Sequence, residues 1–218
     1  MLKDRSDEEP RLEGKRKKKI KFSYENVNKH FYENLSDIEE KFALADREKS
    51  TGDLKSAQEI WRSQVVFLDS ALDFYIHEVA KLGIIRIFNG DWAETEKYRK
   101  IKVSMDFALK MADSHENADA LLDEIDEINQ YNCFMKFGKI QETLHLIGLD
   151  ADTSNQEGIN DLCSRRNQIA HQSDRLPNDT NKQPISKKDV QKYIASVKSL
   201  VADINSKVKE KEKDLSEN

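Results

Sequence analysis

The chain has 218 residues, of which 37% are hydrophobic and 35% charged, with only seven Gly and three Pro. That balance, in long Lys/Glu/Asp-rich stretches poor in turn formers, favours an all-helical protein over a sheet protein. No apolar run approaches the length needed to span a bilayer, and the charged start lacks the apolar centre of a signal peptide, so a soluble cytoplasmic protein is expected.

The net charge of −5 hides an asymmetry. Residues 1–21 hold nine Lys/Arg against five Asp/Glu, and the remainder is strongly acidic. Residues 1–22 read as a basic leader. Its run "GKRKKKIK" fits a solvated, disordered segment, a nucleic-acid contact or an address signal. The acidic remainder does not suit a strong general binder of nucleic acid. Any RNA contact there needs a local basic spot.

Residues 23–50 predict a long N-terminal helix, because Val27, Phe31, Leu35, Ile38, Phe42 and Ala45 recur in steps of three and four. Thr51-Gly52-Asp53 breaks it, and residues 54–210 read as one helical bundle. The run from Leu54 to Gly90 is too apolar for a surface helix and should pass through the bundle centre. Asp91 is placed as the N-cap of a helix over 92–112, with Ile101, Met105, Ala108 and Met111 or Ala112 on its stripe. Further helices are expected over 114–131, with Leu121, Leu122, Ile125 and Ile128 on one face, and over 134–147, stopped by Gly148. A polar loop over 150–156 precedes the next helix, and "DRLPNDTNKQPI" reads as a surface loop. Ser186 and Asp189 resemble a capping box. Val190, Ile194, Val197, Val201, Ile204 and Val208 then line a last long helix, leaving 211–218 as a charged tail. The fold expected is an all-α, up-and-down helical bundle.

Most chemical signatures are absent. There is no CxxC, HExxH, phosphate-cradling glycine loop or GxSxG elbow. Cys133 and Cys163 read as small apolar fillers rather than a disulfide framework. Asp113, His115, Glu116 and Asp119 have the residue types of a metal site but sit on an acidic, solvated face, so neither a metal nor a cofactor is expected. His30 and His145 lie in helical patterns without evident partners and read as structural. Asp69, Asp73 and His77 share one face of an otherwise apolar helix at steps of four, so they are satisfied structurally or border a site.

One stretch remains, "LCSRRNQIAHQSDR". His171 is the only histidine with an arginine four to six residues before it, namely Arg166 and Arg165. "RRNQIAH" resembles the Arg-Asn-x-Ile-Ala-His form of the Arg-x4–6-His motif of HEPN domains. These are all-helical bundles, many of them ribonucleases of toxin–antitoxin, phage-defence and RNA-processing systems. "FLDSALDFYIHEV" and "FMKFGKIQETLHLIGL" before "INDLCSRRNQIAH" are similar to its RiboL-PSP branch, over roughly residues 55 to 208. The resemblance implies a metal-independent endoribonuclease acting as a toxin or phage-defence effector, or else a non-catalytic module binding RNA or protein.

RNA carries its own nucleophile, the ribose 2′-OH, beside the scissile phosphate. Histidine, which titrates near neutrality, can take that proton as His171, while the planar guanidinium of Arg166 can hold two phosphate oxygens. The products would be a 2′,3′-cyclic phosphate or 3′-phosphate and a 5′-OH. Asn167, where the family has a polar residue, is implied to orient the histidine or the phosphate.

Residues five apart on an ideal helix point about 140° apart, so one motif does not close around one phosphate. Either the arginine reaches around, or the helix ends or distorts, or a second copy helps. The resemblance implies the last: a homodimer with facing motifs, which would gather Arg165 and Arg166 of both chains into an RNA-binding spot. An antitoxin or regulatory protein is a further implied partner. Ser173 stands where nucleotidyltransferase-controlled relatives often have a modifiable tyrosine, which puts that mode of control in doubt.

Overall fold

A computed structural model describes residues 22–112, 117–130, 136–176 and 180–216. The expected leader therefore lies outside the described residues except for Phe22, as do Asp113, His115, Glu116 and Cys133. Among the described residues seven α-helices follow in order: α1 (Tyr24–Ser50), α2 (Leu54–Phe88), α3 (Met105–Ala112), α4 (Asn117–Gln130), α5 (Phe137–Leu146), α6 (Gln156–Gln172) and α7 (Lys187–Ser216). The all-helical bundle expected from composition and periodicity is what forms. Among the described residues no helix is long and apolar enough to cross a membrane.

The 35-residue α2 is the axis of the bundle, about 52 Å long at 1.5 Å per residue, and α1, α5, α6 and α7 all pack on it. Its buried residues include Trp61, Val65, Leu68, Leu72, Tyr75, Ile76, Val79, Leu82 and Ile85, too wide a set for a surface helix. The break before it is built as its residues dictate. Gly52 takes a φ of +90°, and the Asp53 carboxylate accepts the Ser56 N–H at 2.9 Å as an N-cap.

The α1 stripe lands as spaced: Val27, Phe31, Leu35, Ile38 and Ala45 are buried, and Phe42 is half-covered beneath the Lys187 ammonium, 5.2 Å from its ring. The helix is not an appendage to a separate bundle, because its stripe merges with α2 and α7 into one core. A polar knot fixes its start. The hydroxyls of Tyr24 and Tyr75 each donate to Asn205 Oδ1 at 2.6 Å, joining α1, α2 and α7. In α7 all six positions from Val190 to Val208 are buried, and the helix runs on to Ser216, so residues 211–216 continue it rather than form a separate tail. Its start is the expected capping box in short form, with the Ser186 N–H donating to Asp189 Oδ2 at 2.8 Å and the Asp189 N–H to Ser186 Oγ at 3.4 Å.

The expected 92–112 helix is mostly absent. No helix begins after Asp91, whose N–H donates to the Arg86 carbonyl at the end of α2. Thr95 intervenes: its hydroxyl donates to the Leu146 carbonyl and accepts the Tyr98 N–H, so the chain is tied to the end of α5 and makes only a three-residue 3-10 turn. Helix begins at Met105, where Ser104 Oγ accepts the Phe107 N–H and the buried Glu124 carboxylate holds Ser104 from α4. The proposed stripe is therefore wrong, with Met105 75% exposed. Gly148 does stop α5, at a φ of +71°.

Candidate functional site

The motif helix α6 is seated by its apolar face, Ile159, Leu162 and Cys163, against the core. Asn160 Oδ1 accepts the Phe137 N–H at 2.9 Å and fixes the start of α5 on it. At Gly158 an added Cβ would lie 2.2 Å from Ser196 Oγ, so α7 crosses α6 closely there. Contacts of rising α2 number with falling α6 number, Arg62 with Asp174 and Asp69 with Arg166, make α2 and α6 antiparallel.

Arg166 extends toward α2. Its Nε lies 3.0 Å from Asp69 Oδ2, an ion pair in which the N–H is not directed along the contact. Its Nη1 donates to Asn167 Oδ1 at 3.1 Å, so the asparagine holds the arginine rather than the histidine. The Arg166 side chain is 22% exposed, and Nη2 has no hydrogen bond among the described residues. Asp69 is buried, and burial pushes its carboxyl above the ordinary carboxylate range. Arg166 and a hydrogen bond from Cys163 pull the other way, while Asp73 adds to the rise. Asp73 and His77 follow on the same face, 3.5 Å apart. The expected polar face of α2 thus borders the motif through Asp69.

Arg165 faces a different carboxylate. Its Nη1 lies 2.9 Å from Oδ1 of Asp174 and its Nη2 donates to Oδ2 at 3.0 Å, with the Pro184 carbonyl also within reach at 3.2 Å. Arg62 of α2 grips the same carboxylate. A guanidinium so engaged does not offer its charge outward, which counts against the expectation that Arg165 is a contact for RNA. Asp174 and Arg62 were not foreseen. The one sequence signal was a charged residue, Arg62, inside an apolar helix.

His171 sits exposed in the last turn of α6, with no hydrogen bond or ion pair among the described residues. The helix is unbroken from Gln156 to Gln172 and ends only at Ser173, so it neither stops nor distorts between Arg166 and His171. The two side chains leave it about 140° apart and about 7.5 Å apart along its axis. The structure brings Arg166, Asn167 and Asp69 together and leaves His171 on another side. The surface grooves between α1 and α2, around Lys41 and Phe67, and between α1 and α7, around Tyr32 and Lys209, are lined by no motif residue. Among the described residues no group of His, Cys, Asp and Glu could hold a metal.

Fold and site together define an all-helical bundle protein whose polar motif lies on one helix and is buttressed by the central one. A family model described as RiboL-PSP-HEPN matches residues 40–210, and the chain belongs to that family. Membership points to a nuclease or RNA-related function in general. The match starts inside α1, earlier than the resemblance read from the sequence, in keeping with the packing of α1 into the shared core. Comparison with curated proteins returned no match, nor did comparison with solved structures.

Proposed function

We propose that the chain is an endoribonuclease that needs no metal, in which His171 takes the proton from the ribose 2′-OH and Arg166 neutralises the charge growing on the phosphate. The observation that carries this reading is the state of Arg166. Two of its nitrogens face Asp69 and Asn167, while Nη2, without a hydrogen bond among the described residues, belongs to a partly exposed side chain that a ligand can reach. Such a held fork loses little freedom on binding a phosphate. His171, exposed and without a polar partner among the described residues, suits a base that must reach a solvent-borne strand. The products are a 2′,3′-cyclic phosphate or 3′-phosphate and a 5′-OH.

Because the helix is unbroken, each site is completed by a second copy, with Arg166 of one chain facing His171 of the other. Exposed aromatics on α2, Phe67 at 51% and Phe74 at 42%, supply apolar surface for that association on the helix that carries Asp69. A role as a toxin or phage-defence effector in the cytoplasm, held in check by an antitoxin or regulatory protein, accompanies this reading through the family resemblance.

The test is incubation of purified protein with RNA in excess chelator, comparing wild type with His171→Ala and Arg166→Ala. Cleavage with cyclic-phosphate ends that both substitutions abolish is expected. Undiminished cleavage in both variants sinks the assignment.

A second reading is a non-catalytic binding module. It is favoured by the fact that both motif arginines are ion-paired within the chain. It predicts salt-sensitive RNA retention without cleavage, lost on removal of residues 1–21.

A further inference from the structure

We propose that Asp174, gripped by Arg62 and Arg165, is the positioning residue that aims His171. What His171 does rests on the ribonuclease reading; how it is held does not.

Helix ends fray, and α6 ends one residue past His171, at Gln172. His171 is exposed and makes no hydrogen bond, ion pair or ring contact among the described residues. With no polar partner to hold the ring, its direction follows the backbone of the last turn. That turn is closed by two successive non-glycine residues in the left-handed region, Ser173 at φ +51° and Asp174 at φ +59°. Side chains rarely adopt this conformation, so something must hold it.

The hold is Asp174. Only 1% exposed, it is buried three residues after the histidine. Its Oδ2 accepts from Arg165 Nη2 of α6 and from Arg62 Nε of α2, while Oδ1 lies 2.9 Å from Arg165 Nη1 in an ion pair that is not aligned as a hydrogen bond. Its N–H donates to the Gln168 carbonyl at 2.9 Å, and its carbonyl accepts the Gln183 N–H at 2.7 Å. The same two arginines bind the strap that leads to α7. Arg62 Nη2 donates to the Gln183 carbonyl at 2.7 Å, and Arg165 Nη2 to that of Pro184 at 3.2 Å. Lys182 fastens the strap to α2 through Glu59 at 2.7 Å. A buried charge so surrounded has one stable position, and the backbone that carries it is fixed with it. Arg165 thus belongs to the aiming of the histidine rather than to the phosphate.

The test uses the full chain and two readouts. In the wild type, the backbone amides of Asp174 and Arg175 should exchange with solvent as slowly as those in the middle of α6. Exchange as fast as in exposed loops overturns the proposal. In Asp174→Asn, which keeps the shape and removes the charge, the NMR ring signal of His171 should broaden or split while those of His30 and His145 stay put. An unchanged His171 signal overturns the proposal. Should that variant fail to fold, Arg165→Lys, which keeps the charge and loses the fork, replaces it with the same expectation.

On RNA in chelator, Asp174→Asn should lower kcat on the order of tenfold with KM nearly unchanged, because the arginine that meets phosphate is untouched. A KM effect alone counts against it. If wild type leaves RNA intact, the ribonuclease reading falls, while amide exchange and the His171 signal still decide the positioning claim.

Discussion

Arg166 and Asp69 meet across the α6–α2 contact, Nε to Oδ2 at 3.0 Å, in a pair whose acid is buried and whose base is partly open to solvent. In the proposed site the acid tethers the guanidinium that meets the phosphate. Asp69→Asn should leave a folded protein whose RNA cleavage falls about 10- to 100-fold, chiefly in kcat, because the guanidinium loses its anchor. Steady-state cleavage of a short RNA by the two proteins measures this. Equal kcat values would remove Asp69 from the site.

The same carboxylate sets a pH dependence of stability. Burial holds Asp69 above the ordinary carboxylate range against the pull of Arg166. In the unfolded chain it titrates at its ordinary value, about 3.9. Between the two, the folded state binds more protons, so its contribution to stability falls as pH rises through that window. Relative to Asp69→Asn, the wild type should gain stability on acidification through the window and no more below it. Denaturant unfolding of both proteins from about pH 3 to pH 7 reads the difference. A flat or oppositely sloped difference would refute the burial account.

The proposed sharing of each site between two chains makes a numerical prediction. On the proposed assignment, His171→Ala and Arg166→Ala should each be inactive alone. Mixed in equal amounts and allowed to exchange, half of the dimers pair one of each, and in those one of two sites is intact. Cleavage should return to about one quarter of wild type, a fraction that follows from the two-fold arrangement of such a dimer. No recovery under verified subunit exchange means that the site lies within one chain.

Two glycines separate packing from propensity. A Cβ at Gly83 would lie 2.5 Å from the Ile147 side chain, which is fully buried, so Gly83→Ala forces α2 and α5 apart. It should cost about 1–3 kcal/mol. Gly138, in the first turn of α5, has nothing within 4 Å, so Gly138→Ala should stabilise by about 0.5–1 kcal/mol. Thermal or denaturant unfolding of the two variants checks both signs.

Helical periodicity carried most of the fold. The stripes of α1 and α7, the cap at Ser186 and the stop at Gly148 are local patterns, and local geometry honours them. The 92–112 segment failed because what breaks it is remote: the Leu146 carbonyl captures Thr95, and Glu124 captures Ser104. The site divides in the same way. The motif is contiguous and legible, and Asp69 stands out as a polar residue on an apolar helix. That Asp69 pairs with Arg166, and Asp174 with Arg62, depends on the antiparallel register of α2 and α6, which no periodicity encodes.

The unbroken course of α6 turns the spacing of the motif into a rotational setting. Each residue between Arg166 and His171 turns the histidine by about 100°, so removing one would bring the two to within about 40°, on one side of the helix. A chain so shortened should no longer need mixing to restore a divided site, since arginine and base would share one face. Spacer length then chooses between a site that one molecule owns and a site that exists only between two.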